Sequence, residues 1–85
     1  MSPKILEYRG FSIGFFSSDG EERPHVHVYR GSDTGANAKF WITKNGYELA
    51  HNKGHFSDQE LRKLTVFLDQ NRDYILARWM EYFGL

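Results

Sequence analysis

Two histidines separated by one residue stand in the stretch PHVHV, Pro24 to Val28. In a strand this spacing puts both imidazole rings on one face, roughly 6–7 Å apart along the chain. Two such rings can ligate one metal ion if they converge. Because imidazole titrates near neutral pH, the pair could also serve as general acid and base. The sequence alone leaves a metal site, a catalytic pair and a structural pair open.

A metal site at His25 and His27 would need at least one further protein ligand. The nearby candidates are Asp19, Glu21, Glu22, His51 and His55. His51 and His55 are four residues apart, but Asn52 and Gly54 disfavour a helix there, so they do not form the helical His-x-x-x-His pair. The cofactor therefore stays unknown, with a divalent metal at His25 and His27 as the one candidate.

The first half of the chain has the period-two pattern of strands and the second half the pattern of helices. Strands are predicted at residues 10–18, 25–30, 38–43 and 47–52. The segment SSDGEERP between the first two is interpreted as a mobile loop, and Asn45-Gly46 predicts a hairpin between the last two. In the helical half, Ser57 and Glu60 fit a capping box and Gly84 fits a C-terminal cap. Asn71 either separates two helices or marks a kink in one.

These elements predict an α+β fold in a single domain over residues 1–85. The strand-rich part, 9–52, should form a small antiparallel sheet of three to four strands. Two C-terminal helices within 57–83 should pack on one face of it. The predicted core contains Phe11, Ile13, Phe15, Val26, Val28, Phe40, Ile42, Leu61, Leu64, Leu68, Ile75 and Trp79.

The strand alternation separates Val26 and Val28 from the histidines. We expect the valines to pack under the helices and the imidazoles to be partly accessible on the other face. That face carries the candidate residues for binding a ligand or partner: His25, His27, Tyr29, Trp41 and His51. If it is a binding surface, changing both His25 and His27 to alanine should leave folding nearly intact.

The composition of the chain limits which ligands, cross-links and locations are expected. Eleven basic residues balance eleven acidic ones, so bulk charge does not support binding to nucleic acid or anionic membranes. There is no cysteine, which excludes disulfides and thiolate metal sites. Because no apolar run approaches a membrane span and no secretory signal is evident, a cytoplasmic protein is expected. Unpaired sheet edges and a small core favour a homodimer.

The segments FFSSDGEERPHVHVYRG, AKFWI and ELRKLTVFLDQNRDYILARWMEYFG together resemble a bacterial family, domain of unknown function 4160. The resemblance covers almost the whole chain and rests on Pro-His-x-His, Ala-x-Phe and a late tryptophan. His25, His27, Ala38 and Trp79 match the family's most typical positions. Members often carry an acidic residue or a second proline just before the histidines, whereas this chain has EERPHVHV with one proline.

The resemblance implies a stand-alone small protein without a settled biochemical activity. Members of the family often occur beside members of domain of unknown function 2442, in arrangements that look like toxin–antitoxin or regulatory pairs. We therefore expect a small cytosolic binding or regulatory module that acts with a protein partner. The alternative is a His-dependent nuclease or other hydrolase that uses His25 and His27. The sequence therefore leaves open whether the protein is an enzyme. Imidazoles exposed in a concave pocket beside basic groups would favour the hydrolase.

Overall fold

Residues 4–84 are described by a computed structural model, in which two helices follow a five-stranded sheet. The strands are β1 Lys4–Tyr8, β2 Phe11–Gly14, β3 His25–Arg30, β4 Asn37–Ile42 and β5 Tyr47–Asn52, and the helices are α1 Asp58–Gln70 and α2 Arg72–Phe83. The strands pair antiparallel in chain order, as a meander. The predicted α+β class is confirmed. The predicted range 1–85 also includes residues 1–3 and 85, which lie outside the described residues.

The prediction of three to four strands was wrong because it omitted β1. This strand connects to β2 through the two-residue turn Arg9-Gly10, and Tyr8 pairs directly with Phe11. Both turn residues have positive φ, 47° and 85°, as tight hairpins require. Such turns are signalled by Asn-Gly or Asp-Gly, and an arginine with positive φ is uncommon. The strand-rich part therefore begins at Lys4 rather than at residue 9.

The core lies between the helices and the sheet face that carries Val26 and Val28. Cross-strand pairs place Ile13 beside Val28 and Phe40 beside Val26. Ten of the twelve predicted core residues are buried, while Ile42 and Leu61 are half-buried against the same cluster. Ala38 and Phe56 complete the core. The alternation therefore located the helix-covered face correctly.

The helical half contains two helices, which resolves the alternative left open at Asn71. The Ser57 hydroxyl accepts from the Glu60 N–H at 3.1 Å, and the Glu60 carboxylate accepts from the Ser57 N–H at 2.9 Å, so the capping box is confirmed. The Asn71 side chain donates to the Phe67 carbonyl at the break. Gly84 ends α2 in the left-handed conformation. In the part of the chain that the structure describes, no helix is long and apolar enough to cross a membrane.

Changing Ser57 to alanine removes the hydroxyl that caps α1. We expect the free energy of unfolding to fall by about 1 kcal/mol, because the Glu60 N–H loses its acceptor. Urea denaturation measures the difference. Ser32→Ala is the control, since this exposed loop residue caps no helix. Equal denaturation midpoints for the two variants would contradict a stabilising role of the capping box.

Candidate metal centre

The second face of the sheet carries His25, His27 and Tyr29, as the alternation predicts. The β3–β4 ladder pairs His25 with Trp41, whereas the intervening Val26 pairs with core residue Phe40. The expected accessibility of the imidazoles was wrong. His25 is fully buried and His27 is 6% exposed. Neither ring is open to solvent as a flat binding surface would require.

The imidazoles are buried because residues 15–24, the covering segment, fold over this face. Its predicted loop contains a 3-10 turn, Asp19–Glu21. Phe16 and Asp19 close the turn reciprocally: the Asp19 N–H donates to the Phe16 carbonyl at 2.9 Å, and the Phe16 N–H donates to Asp19 Oδ2 at 2.7 Å. The Phe16 ring stacks on His27 at a centroid distance of 3.9 Å. The turn thereby brings Asp19, only 5% exposed, against the histidines.

The covering segment also contacts α2 through Gly20. A Cβ at this position would lie 2.6 Å from the Phe83 ring. Real Cβ atoms do not approach other heavy atoms so closely, so a larger side chain would displace either the segment or the ring. The segment is therefore held between the histidine face and the end of α2.

The other predicted site residues are partly gathered around the histidines. The Trp41 ring lies 5.3 Å from the His25 ring, and the His51 ring lies 6.4 Å from the His27 ring. Tyr29 is buried on the same face and lies near Phe16. The remaining ligand candidates lie outside the cluster: Glu21 and His55 are exposed, and Glu22 pairs with Lys39.

Asp19 contacts both imidazoles through their Nε2 atoms. Its Oδ1 lies 3.1 Å from His25 Nε2, and its Oδ2 lies 3.2 Å from His27 Nε2. Burial by itself would raise the pKa of Asp19. Hydrogen bonds that the imidazoles donate when Nε2 is protonated, together with the one from the Phe16 N–H, outweigh burial and hold the pKa of Asp19 well below its usual range. Asp19 is therefore a buried negative charge.

The hydrogen bonds of Nδ1 determine the tautomer of His25. This atom lies 2.7 Å from the Arg23 carbonyl oxygen. A carbonyl oxygen can only accept, so Nδ1 of His25 carries the hydrogen. In the neutral ring, Nε2 is left with a lone pair.

His27 has the same tautomer for a different reason. Its Nδ1 lies 3.0 Å from Asn37 Oδ1. The Asn37 amide is oriented because its Nδ2 donates to the Thr34 carbonyl at 2.9 Å, so its oxygen must face the ring. His27 therefore donates from Nδ1, and in the neutral ring the Nε2 lone pair faces Asp19.

When both rings are neutral, two nitrogen lone pairs and one carboxylate converge, and either a proton on Nε2 or a cation must lie between them. His25 Nε2 is buried and makes no aligned hydrogen bond, although Asp19 Oδ1 is only 3.1 Å away. Protonating one ring lets its Nε2 donate to Asp19 but leaves the other Nε2 without a partner, and protonating both places two imidazolium ions against a single carboxylate in a buried site, which is costly. A divalent cation between the three groups satisfies all of them.

The spacing of the three groups fits a single ion. Ligands 2.0–2.1 Å from a tetrahedral ion are separated by about 3.4 Å, and Asp19 Oδ1 lies 3.1 Å from His25 Nε2 and 3.4 Å from His27 Nε2. Two imidazoles bound through Nε2 should have centroids about 5.2 Å apart on the same geometry, and those of His25 and His27 are 5.1 Å apart. The ligand atoms of the three residues all lie within 4.8 Å of one another. Hydrogen bonds from Nδ1 to a backbone carbonyl and to an amide are also typical of metal-bound histidines.

Comparison with known proteins identifies a family. A family model described as "Domain of unknown function (DUF4160)" matches residues 10–80, which include Asp19, both histidines and Trp79. No curated protein and no solved structure matches the chain significantly.

Proposed function

The chain belongs to the DUF4160 family, and we propose that it is a binding module that holds one divalent transition-metal ion at Asp19, His25 and His27. The observation that carries this proposal is the convergence of the two buried Nε2 atoms on the buried carboxylate of Asp19. Each ring is held in the ligating tautomer by its own acceptor at Nδ1. These acceptors supply the outer contacts that orient metal-bound imidazoles.

The donor set favours Zn²⁺, Co²⁺, Ni²⁺ or Cu²⁺ over Mg²⁺ and Ca²⁺. Imidazole nitrogen suits the later transition metals, whereas Mg²⁺ and Ca²⁺ select oxygen ligands. A bound ion would connect β3 to the covering segment, because Asp19 belongs to the segment and both histidines belong to the strand. Binding of the ion would therefore hold the covering segment in its place over β3.

We propose further that the module acts with a protein partner rather than on a substrate. The burial of His25 and His27 supports this choice, since neither ring lies in an open pocket beside basic groups. The same burial weighs against the alternative of a His-dependent nuclease or hydrolase. The exposed part of the covering segment, including Glu22 and Arg23, is a surface whose shape the ion would fix. A partner from domain of unknown function 2442, in a toxin–antitoxin-like or regulatory pair, rests on the resemblance alone and is the first candidate to test.

Metal binding has a built-in optical probe. The chain contains two tryptophans, Trp41 and Trp79, and the centroid of each indole lies 5.3 Å from that of His25. Titration with Co²⁺ or Cu²⁺ should quench the tryptophan emission with a stoichiometry of one ion per chain. Calorimetry with Zn²⁺ should give the same stoichiometry.

Changing Asp19 to asparagine should weaken Zn²⁺ binding by about 100-fold or more, because a charged ligand becomes a neutral amide and loss of even an outer contact costs 10–100-fold. The matched control is His55→Asn. His55 is an exposed imidazole outside the cluster with a positive φ of 55°, a conformation that asparagine tolerates. Calorimetry on both variants, with circular dichroism to verify folding, measures the difference. Equal affinities in the two variants, or no binding to the folded parent, would overturn the metal proposal.

A further inference from the structure

An apolar groove lies between the β4–β5 hairpin and α1, away from the Asp19 cluster. Its volume is about 730 Å³. Leu49 of β5 and Val66 of α1 line it and are 43% and 58% exposed. Side chains of this type exposed in one groove are typical of a surface that a partner covers.

The α1 side of the groove carries an ordered stripe of charge. Arg62, Val66 and Asp69 are spaced i, i+4 and i+7, so they lie on one face of the helix with the apolar residue between the charges. Arg62 and Asp69 are exposed, and neither forms an ion pair within 4.0 Å in residues 4–84. This stripe is complementary to itself when a second copy runs in the opposite direction, because the cation of each stripe then faces the anion of the other and the apolar residues meet between them.

We propose that a second copy of this chain covers the groove, with the two α1 helices antiparallel about a two-fold axis between Thr65 and Val66. This arrangement places Arg62 of each copy opposite Asp69 of the other. Two-fold symmetry then forms the ion pair twice. Val66 lies at the centre of the contact and the charges lie at its rim, as in ordinary protein interfaces. The proposal uses none of the metal ligands and is independent of the proposed function.

The structure favours this helix face over the sheet edges that the sequence suggested for a dimer. Both edge strands are irregular: the β1–β2 register shifts between Lys4 and Leu6, and the β4–β5 register shifts between Lys39 and Phe40, where Ala50 of β5 has no partner in β4. A bulge in an edge strand disrupts the row of backbone groups that another strand would need. The edges of this sheet are therefore poor templates for pairing.

The contact is small, so we expect a dimer with an affinity on the order of micromolar. Sedimentation velocity from low to high micromolar protein, in a chelator, should show a concentration-dependent monomer–dimer equilibrium. Arg62→Glu should weaken dimerisation by about 10-fold or more, because it places two glutamates opposite two aspartates. Asp69→Arg should weaken it by a similar factor, because it places two arginines opposite two arginines. The double variant Arg62→Glu/Asp69→Arg should recover the parent affinity to within about 3-fold, since the swapped charges pair again.

The matched control is Lys63→Glu, which makes the same change of charge on an exposed neighbour outside the groove. It should weaken dimerisation far less than Arg62→Glu. A parent protein that is monomeric at high micromolar concentration would overturn the proposal, as would equal effects of the Arg62 and Lys63 variants. Failure of the charge swap to restore association would exclude this antiparallel pairing. If circular dichroism shows that a charge-reversal variant is unfolded, Arg62→Gln and Asp69→Asn are measured in its place. Dimers of these variants as stable as those of the parent would overturn the pairing.

Discussion

Replacing Trp79 with alanine is expected to lower the free energy of unfolding by about 3–5 kcal/mol. Small domains have only about 5–15 kcal/mol in total. Trp79 is 1% exposed and packs edge-on against Phe15 at 5.2 Å and beside Phe83 at 4.3 Å between ring centroids. It is the largest fully buried side chain in the described residues. Its loss would leave a cavity where α2 meets the sheet.

Chemical denaturation in a chelator measures this effect without any contribution from metal binding. Met80→Ala is the matched control, because Met80 follows Trp79 in α2 and is 51% exposed. It should change stability by about 0.5 kcal/mol or less. Trp79→Phe should cost less than Trp79→Ala, since the phenyl ring fills part of the cavity, while both changes remove an indole N–H that is buried without a partner. Equal stabilities of the Trp79→Ala and Met80→Ala variants would remove Trp79 from the core.

The sequence predicted the elements that have a strong local signal. The bounds of β3 and β5 match the predicted runs 25–30 and 47–52, because β3 alternates along its length and β5 begins directly after the Asn45-Gly46 turn. The start of α1 follows from the capping box at Ser57. The strand β1 was missed because its turn uses Arg9, a residue that gives no signal for positive φ.

The candidate site was predictable only in part. The paired histidines were evident from the motif, and Asp19 was one of five proposed further ligands. Asp19 differs from the other four because a 3-10 turn brings it over β3. No periodic pattern in the sequence predicts that turn. Asn37 was missed because its contact with His27 arises from the β3–β4 register, which pairs distant positions.

The mistaken accessibility of the histidines has the same origin. The sequence argument weighed the cost of burying imidazoles without partners, which is about 1–3 kcal/mol for each unsatisfied group. The fold avoids most of that cost, since Nδ1 of His25 and Nδ1 of His27 each have an acceptor. Both faces of β3 are therefore buried, one under the helices and the other under the covering segment, with Trp79 of α2 also contacting His25.

This burial reverses the expectation for the His25→Ala/His27→Ala double variant. The sequence suggested that folding would be nearly intact. The structure instead predicts a loss of about 3–5 kcal/mol, because Asp19 would remain as a buried carboxylate that has lost both imidazoles and keeps only the Phe16 N–H. Urea denaturation in a chelator measures the change. The double variant should also lose the increase in melting temperature that Zn²⁺ gives the parent, since binding to the native state alone stabilises it.

A third substitution separates the charge from the lost packing. Adding Asp19→Asn to the double variant removes the unpaired charge but keeps an oxygen that can accept from the Phe16 N–H, as Asp19 Oδ2 does. The triple variant should therefore be more stable than the double one by about 1–3 kcal/mol. If the triple variant is no more stable, the cost of the double variant comes from the lost rings, including the stack of Phe16 on His27, rather than from Asp19. A double variant as stable as the parent would show that the covering segment keeps its fold without the histidines.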